Sequence, residues 1–344
     1  MYKKGKAVIF KKPKEVEIRE IRLAEVDDGT IVVKTKYSGI STGTEMAVYR
    51  GEASWEGVWY PCVPGYEEVG EVVYVGKNAF KTNKGETLKV GDRVMANEVR
   101  YYPDYMAAWG GQCEYAIKNQ KTSPYLMDRP AKIPENVSYQ EAVIAYLASV
   151  AKKGIDMVKV NEGESFLVIG MGVIGLSAVQ LLKKIYKTGK VIAGDINDTR
   201  LKIAKKYTDF VVDLRCKNPL KEIMDMNDGK KVDVVFEASG NPKVIDEIFD
   251  YVRPGGRIHL QGQYRQPIVI TRYSRWNCSD LVVSASIALN PGDKEEILKL
   301  ISEGKFDAKS LYTKEYFIDD AYKAYKELED NKYDILKILF KWEE

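Results

Sequence analysis

This 344-residue chain holds one histidine and four cysteines, and neither type clusters. Cys62, Cys113, Cys216 and Cys278 lie far apart, at no spacing that suits a metal site or a disulfide framework. There is almost no net charge: 53 basic and 50 acidic residues leave +3, which removes the electrostatic case for nucleic acid or a membrane surface. No apolar signal core follows Met1; an alternating strand does. Internal repeats and low-complexity linkers are missing as well. The one nearly uncharged run, Phe166 to Leu182, is short for a membrane span, holds three glycines, and lies among charged segments. These absences imply a reduced, cytoplasmic protein. Its 30% charged and 45% hydrophobic residues suit a soluble globular chain with room for two domains.

The most informative stretch runs from Ser165 to Gly175, with Val191 to Asp195 beyond it. It reads as a buried strand, a glycine turn, a helix, and a second strand ending in an acid. A dinucleotide needs those parts in that order. Gly170 allows the tight turn, Gly172 lets the backbone approach a pyrophosphate, and Gly175 lets helix and sheet pack closely. The first helical turn, with Val173 and Ile174, offers unpaired N–H groups to the phosphates. Asp195 is placed to accept hydrogen bonds from the adenosine ribose, or serves as a turn residue. Facing the ribose it would repel a 2′-phosphate and favour NAD(H), a preference that Arg200 on the following helix would soften.

The first 125 or so residues are strand-rich, with alternation in Lys6–Phe10, Thr30–Lys36, Gly70–Val75 and Asp92–Ala96, and suggest a partly open β-barrel. From Ser138 to Asp156 the period becomes helical. Strands and helices then alternate through Phe166–Ile169, Val191–Gly194, Phe210–Asp213, Val232–Glu237, Arg257–Gln261 and Leu281–Ser286, which predicts a doubly wound parallel sheet. The tail returns to helix at Lys294–Glu303 and Asp319–Asp330 and closes with a strand at Lys337–Phe340.

Several segments together resemble the medium-chain alcohol dehydrogenase superfamily. Tyr37 to Glu45 (YSGISTGTE) is similar to its first active-site loop, and Pro64 to Val72 (PGYEEVGEV) to its Gly-His-Glu segment. Val90–Val94, Gly110–Tyr115, Asp233–Gly240 and Arg253–Arg257 match further parts of its barrel and nucleotide halves. The resemblance implies an α/β protein: a GroES-like β-barrel catalytic domain over 1–145, completed by 290–344, and a Rossmann NAD-binding domain over 146–289. It also implies cofactor contacts from Ala238, Ser239 and Gly262, and a homodimer or homotetramer with Ile268–Ser286 as an edge. Arg272, Arg275 and Trp276 in that region would otherwise touch cofactor or substrate.

The departures from the family pattern are informative. Zinc-dependent members use a cysteine in the first loop, where Ser41 and Thr42 stand here, and a histidine where Tyr66 stands. The third ligand position falls near Ala145, in a segment with neither cysteine nor acid, and Ala96 to Gln112 lacks the structural-zinc cysteines. Neutral hydroxyls bind zinc poorly, so no metal is expected. The first loop looks most like a zinc-free branch that includes bacteriochlorophyllide dehydrogenases.

The expected chemistry is hydride transfer between NAD(H) and a secondary alcohol or ketone, with a small-molecule substrate. Tyr66 is the first candidate for acid–base work, provided a cation or donors lower its pKa from about 10, or else it fills vacated space. Ser41, Thr42 and Thr44 either orient the substrate oxygen or bond their own backbone. Glu45 and Glu67 either set polarity around Tyr66 or are structural. Lys152 or Lys153 would supply a cation or a solvated face, and His259 reads as structural. Trp55, Trp59, Tyr60, Tyr66, Tyr101, Tyr102, Tyr105 and Trp109 give the barrel half many aromatic faces for a ligand, a subunit contact or loop packing. An alkene or quinone reductase of the same fold and a non-catalytic nucleotide binder remain the alternatives.

Overall fold

The computed structural model describes residues 2–52, 57–331 and 334–343; Trp55 of the aromatic group lies outside the described residues. The chain forms two compact units, Met1–Tyr146 with Pro291–Glu344, and Leu147–Asn290.

The first unit begins with β1 (Lys4–Lys12), β2 (Glu15–Arg22), β3 (Thr30–Gly39) and a short helix α1 (Thr44–Arg50). Then come β4 (Cys62–Val63), β5 (Glu67–Val75), β6 (Arg93–Met95), β7 (Met106–Ala107), β8 (Tyr115–Asn119) and β9 (Ala131–Lys132). Helix α2 (Tyr139–Met157) carries the chain into the second unit. There the order is β10 (Phe166–Ile169), α3 (Val173–Lys184), β11 (Val191–Asp195), α4 (Asp198–Ala204) and β12 (Phe210–Asp213). It continues with α5 (Pro219–Met226), β13 (Val232–Glu237), α6 (Ile245–Tyr251), β14 (Val252–Leu260), α7 (Tyr273–Asn277) and β15 (Val282–Ala285). The chain returns to the first unit through α8 (Asp293–Ser302), β16 (Lys314–Phe317), α9 (Ala321–Asp330) and β17 (Ile338–Lys341).

The second unit is the expected doubly wound sheet. Its strands run β12-β11-β10-β13-β14-β15, every neighbouring pair parallel. The central strands are continuous apolar runs because helices cover both faces of such a sheet; all four side chains of Phe166–Ile169 are buried. The apolar run weighed against a membrane span is β10, a turn and α3, and no described helix is long and apolar enough to cross a membrane.

In the first unit, β3 is the hub. It pairs with β5, β8 and β17, so the carboxyl-terminal strand shares one seven-stranded sheet with the strand that leads into Ile40–Glu45 and with the start of β5. A second sheet, β2-β1-β4-β7, shares an apolar cluster with it, Ile9 and Val63 meeting Val33 and Val72 there. One apolar cluster joins Phe10, Ile40 and Met46 to Tyr325, Ile338 and Phe340, locking the tail onto the loop that follows β3. Burying each such side chain stabilises by roughly 1.5–3 kcal/mol.

Candidate functional site

In the second unit the three glycines of the first turn have three different surroundings. Gly170 has φ +89° and backs onto the main chain of Ser239, where an added Cβ would lie 2.6 Å from the amide nitrogen. At Gly175 a Cβ would fall 1.9 Å from the Gly170 carbonyl oxygen. At Gly172 it would meet nothing within 4 Å. Gly172 is also the N-cap of α3, and no side chain caps that helix end. The first N–H groups of α3, at Val173 and Ile174, thus have no side-chain cap and the helix dipole behind them, an arrangement suited to an anion.

Asp195 ends β11 beside this turn. Its Oδ2 accepts the Met171 N–H at 2.5 Å, and its Oδ1 accepts those of Ile196 and Asn197 at 2.7 and 2.9 Å. The carboxylate is thus both a turn anchor and an acceptor with lone pairs left for hydroxyl donors. Arg200 stands in α4, its N–H capped by Asn197 Oδ1 at 3.0 Å. Ala238 and Ser239 follow β13, with the Ala238 N–H donating to Ile169 O at 2.8 Å, and Gly262 follows β14. These residues all gather at the carboxyl ends of the strands, around the point between β10 and β13 where strand order reverses, and they fit a dinucleotide.

In the first unit, β3 ends ahead of Ser41 and β5 begins after Tyr66. The Tyr66 hydroxyl donates to Ser41 Oγ, and Thr44 also engages it. Thr42 makes no hydrogen bond to this cluster among the described residues. The Tyr66 ring is held at 4.7 Å from Tyr146 and edge-on to Trp109 at 5.7 Å. The expectation of a lowered Tyr66 pKa is corrected: burial, reinforced by the Glu67 charge, pushes it far up, and the Ser41 and Thr44 hydroxyls offset only part of that. Tyr66 therefore rests as a neutral phenol, a proton donor. Glu45, on the first turn of α1, is fully buried and pushed up to about 7 by that burial. It accepts from the Ser41 N–H at 3.2 Å, from Gln112 Nε2 at 3.2 Å, and from the Tyr325 hydroxyl.

Glu67 turns instead to Lys337. Both carboxylate oxygens accept from Lys337 Nζ, at 2.6 and 2.5 Å, and the same ammonium donates to Ile40 O at 3.0 Å. Both side chains are completely buried. Gly39 makes room for the pair, since a Cβ there would sit 2.9 Å from Glu67 Oε2. Lys337→Met should destabilise the fold by about 3–5 kcal/mol at neutral pH, because it strands a buried carboxylate. Urea melts check this, and Glu67→Gln in the same chain should recover most of the loss. As pH falls toward 4.5 the single variant should recover most of the loss on its own, since Glu67 is protonated in the folded variant and increasingly so in the unfolded chain.

This donor set does not fit zinc. Tyr66 and Ser41 are neutral hydroxyls bonded to each other, and the Glu67 oxygens are taken by an ammonium. No group of three histidine, cysteine or acidic residues among the described residues is arranged to hold a metal ion.

Other candidates are bonded within the protein. His259 Nδ1 meets Ser284 Oγ at 2.9 Å, and its Nε2 meets Gln261 Oε1 and Ser286 Oγ at 3.0 and 3.1 Å; burial lowers its pKa. Lys152 pairs with Asp156, and Lys153 donates to Ile287 O. Arg272 and Arg275 both pair with Asp250, and Trp276 Nε1 donates to Leu281 O. Of the expected edge, only Val282–Ala285 is the outer strand; loop and the short α7 precede it. Sequence reasoning missed Lys337 and Glu237. Each left a signal: one cation amid Ile335-Leu-Lys-Ile-Leu-Phe340, and one acid closing an apolar strand.

Two family descriptions match this chain: an alcohol dehydrogenase GroES-like domain over residues 27–152, and a zinc-binding dehydrogenase over 173–303. The second range contains neither the Ser41 loop nor Tyr66. The starvation-sensing protein RspB of Escherichia coli K12 is 27% identical over 358 residues, covering 98% of this chain and 100% of RspB. A sorbitol dehydrogenase of Halalkalibacterium halodurans is 28% identical over 330 residues, covering 90% of each chain. The crystal structure of RspB from E. coli CFT073, an alcohol dehydrogenase complexed with cofactor NADH, is 26% identical with a TM-score of 0.82, covering 99% of this chain and 100% of that one.

Proposed function

The chain belongs to the alcohol dehydrogenase-like medium-chain dehydrogenase/reductase superfamily, and from that premise we propose a zinc-independent oxidoreductase that interconverts a secondary alcohol and its ketone with NAD(H). The observation that carries this reading is the Tyr66–Ser41 hydroxyl pair, standing where related enzymes place metal ligands. The uncapped α3 and Asp195 support the cofactor half, as does the NADH complex of RspB. The sorbitol dehydrogenase likeness supports a polyol or similar secondary alcohol.

Bound NAD would supply the hydride acceptor for the carbinol carbon, and the hydroxyl proton would have to leave as the ketone forms. The protein's own residues handle the oxygen. Ser41 accepts from Tyr66 and keeps its own proton free to bond the substrate oxygen, so the pair fixes that oxygen in both directions. In ketone reduction Ser41 gives its proton to the forming alkoxide and takes the Tyr66 proton in its place, and the phenolate is then reprotonated from solvent. In oxidation Tyr66 must first lose its proton, so the pair as it rests is set for reduction. Asp195 beside the ribose disfavours a 2′-phosphate and so NADP(H). A homodimer or homotetramer in the cytoplasm completes the proposal.

The test is a turnover screen on chelator-treated protein, with NAD and NADP, across secondary alcohols, polyols and sugars. Oxidation that survives chelation and prefers NAD is the expected result. Activity that vanishes and returns with zinc overturns zinc independence, and conjugate reduction of an enone without ketone reduction overturns the alcohol assignment.

A further inference from the structure

One buried and heavily bonded acid of the second unit lies outside every role described so far. Glu237 is the last residue of β13 and is completely buried. Its Oε1 accepts from the Ser239 N–H at 2.7 Å and from the Ser239 hydroxyl, and its Oε2 accepts from the Gly240 N–H at 3.4 Å and from the Tyr264 hydroxyl. Its main-chain oxygen takes the N–H groups of Gln261 and Gly262 at 2.8 and 3.0 Å. One residue therefore gathers the turns after β13 and β14.

The packing around it leaves little slack. A Cβ on Gly262 would fall 2.4 Å from Gly240 N and 2.7 Å from Glu237 Oε2, and one on Gly240 would fall 2.7 Å from Gln263 O. Beyond Gly262 the chain runs to Arg272 without helix or strand, and most of its residues are exposed. Its anchors include Tyr264 on Glu237 near its start and, at its far end, Thr271, whose N–H donates to Asp246 Oδ1 at 2.9 Å, and Arg272, which pairs with Asp250. Burial beside Glu237 keeps the Tyr264 phenol protonated, so it stays a donor.

A dinucleotide lying across a sheet of this order has its adenosine half over β11 and its other half over the ends of β13 and β14. Asp195 marks the first side. The Glu237–Tyr264 bond lies on the second. We propose that Glu237 and Tyr264 are positioning residues for the nicotinamide half of the cofactor, acting by holding the 262–272 loop against the strand ends. This rests on the dinucleotide reading given above. Neither residue needs to touch the cofactor; the loop they fix does.

The experiment measures dissociation constants for NADH and for ADP-ribose, which lacks nicotinamide, in the full chain and in Tyr264→Phe and Glu237→Gln. Tyr264→Phe removes one hydroxyl and keeps the ring, so the fold should survive; Glu237→Gln keeps the size and removes the charge. In both, the NADH constant should rise about tenfold while that for ADP-ribose stays within about twofold, the loss expected for one hydrogen bond to a charged group. A purely structural role would lower the melting temperature and leave the NADH to ADP-ribose ratio unchanged; that result overturns the proposal. If the unaltered chain binds neither ligand, the dinucleotide reading itself falls, and this inference with it.

Discussion

Leucine in place of Gly172 should leave the fold standing and lower NADH affinity by at least about a hundredfold, a loss of some 2.7 kcal/mol or more. The reason lies in the contrast among three glycines that look equivalent in the sequence. Gly172 has φ −77° and ψ −170°, a conformation open to any residue, and an added Cβ there meets no protein atom. The protein loses nothing by accepting a side chain. A phosphate approaching the first N–H groups of α3 would meet that side chain instead. Gly175 behaves in the opposite way, because its Cβ would overlap the Gly170 carbonyl at 1.9 Å, so Gly175→Val should fail to fold. Isothermal titration with NADH and thermal melts on both variants separate the two cases. Unchanged affinity in folded Gly172→Leu would remove the phosphate site from α3.

The same contrast shows which parts of the molecule were legible in sequence. The β10–α3–β11 segment was readable because its information is local: an apolar strand, glycines at fixed offsets, and an acid at the end of the next strand. The alternating elements after it were readable for the same reason. Short pieces were not. Helix α1 sits inside what reads as a loop, and β4 and β7 are only two residues each, held by neighbours rather than by their own pattern. Long-range electrostatics were least visible. An acid–base role for Tyr66 required a cation or donors to lower its pKa, yet the buried cation of the neighbouring Glu67, Lys337, is 270 residues from it in sequence and is bonded to that carboxylate and to Ile40 O. A pairing of that separation leaves no periodicity to read. The Glu237–Tyr264 bond spans 27 residues and two strands, and neither partner is distinguished by its immediate neighbours.

Tyr66→Phe should reduce the rate of ketone reduction by about 10²–10⁴-fold, the usual contribution of one positioned acid–base group. The Michaelis constant for the ketone and the affinity for NADH should stay within about twofold, since the lost hydroxyl acts on the transition state. Structural damage should be small. The phenyl ring keeps its contacts with Tyr146 and Trp109, and the fold gives up the hydroxyl's bonds to Ser41 and Thr44, worth about 1 kcal/mol each. Ser41→Ala breaks the same pair from the other side, so the double variant should be no slower than the worse single one. Two residues acting through one shared proton cannot lose it twice. The pH profile adds a further check. Burial holds the Tyr66 proton far above the neutral range, so its ionisation should leave no inflection near neutrality. Glu45, pushed up to about 7 and bonded to the Ser41 N–H, is the group in this cluster placed to titrate there. An inflection near pH 7 that persists in Tyr66→Phe and disappears in Glu45→Gln would assign it to that carboxyl. A Tyr66→Phe variant with undiminished turnover would show that the ring only fills space, and the substrate oxygen would then have to be held by Ser41 or Thr44 without it.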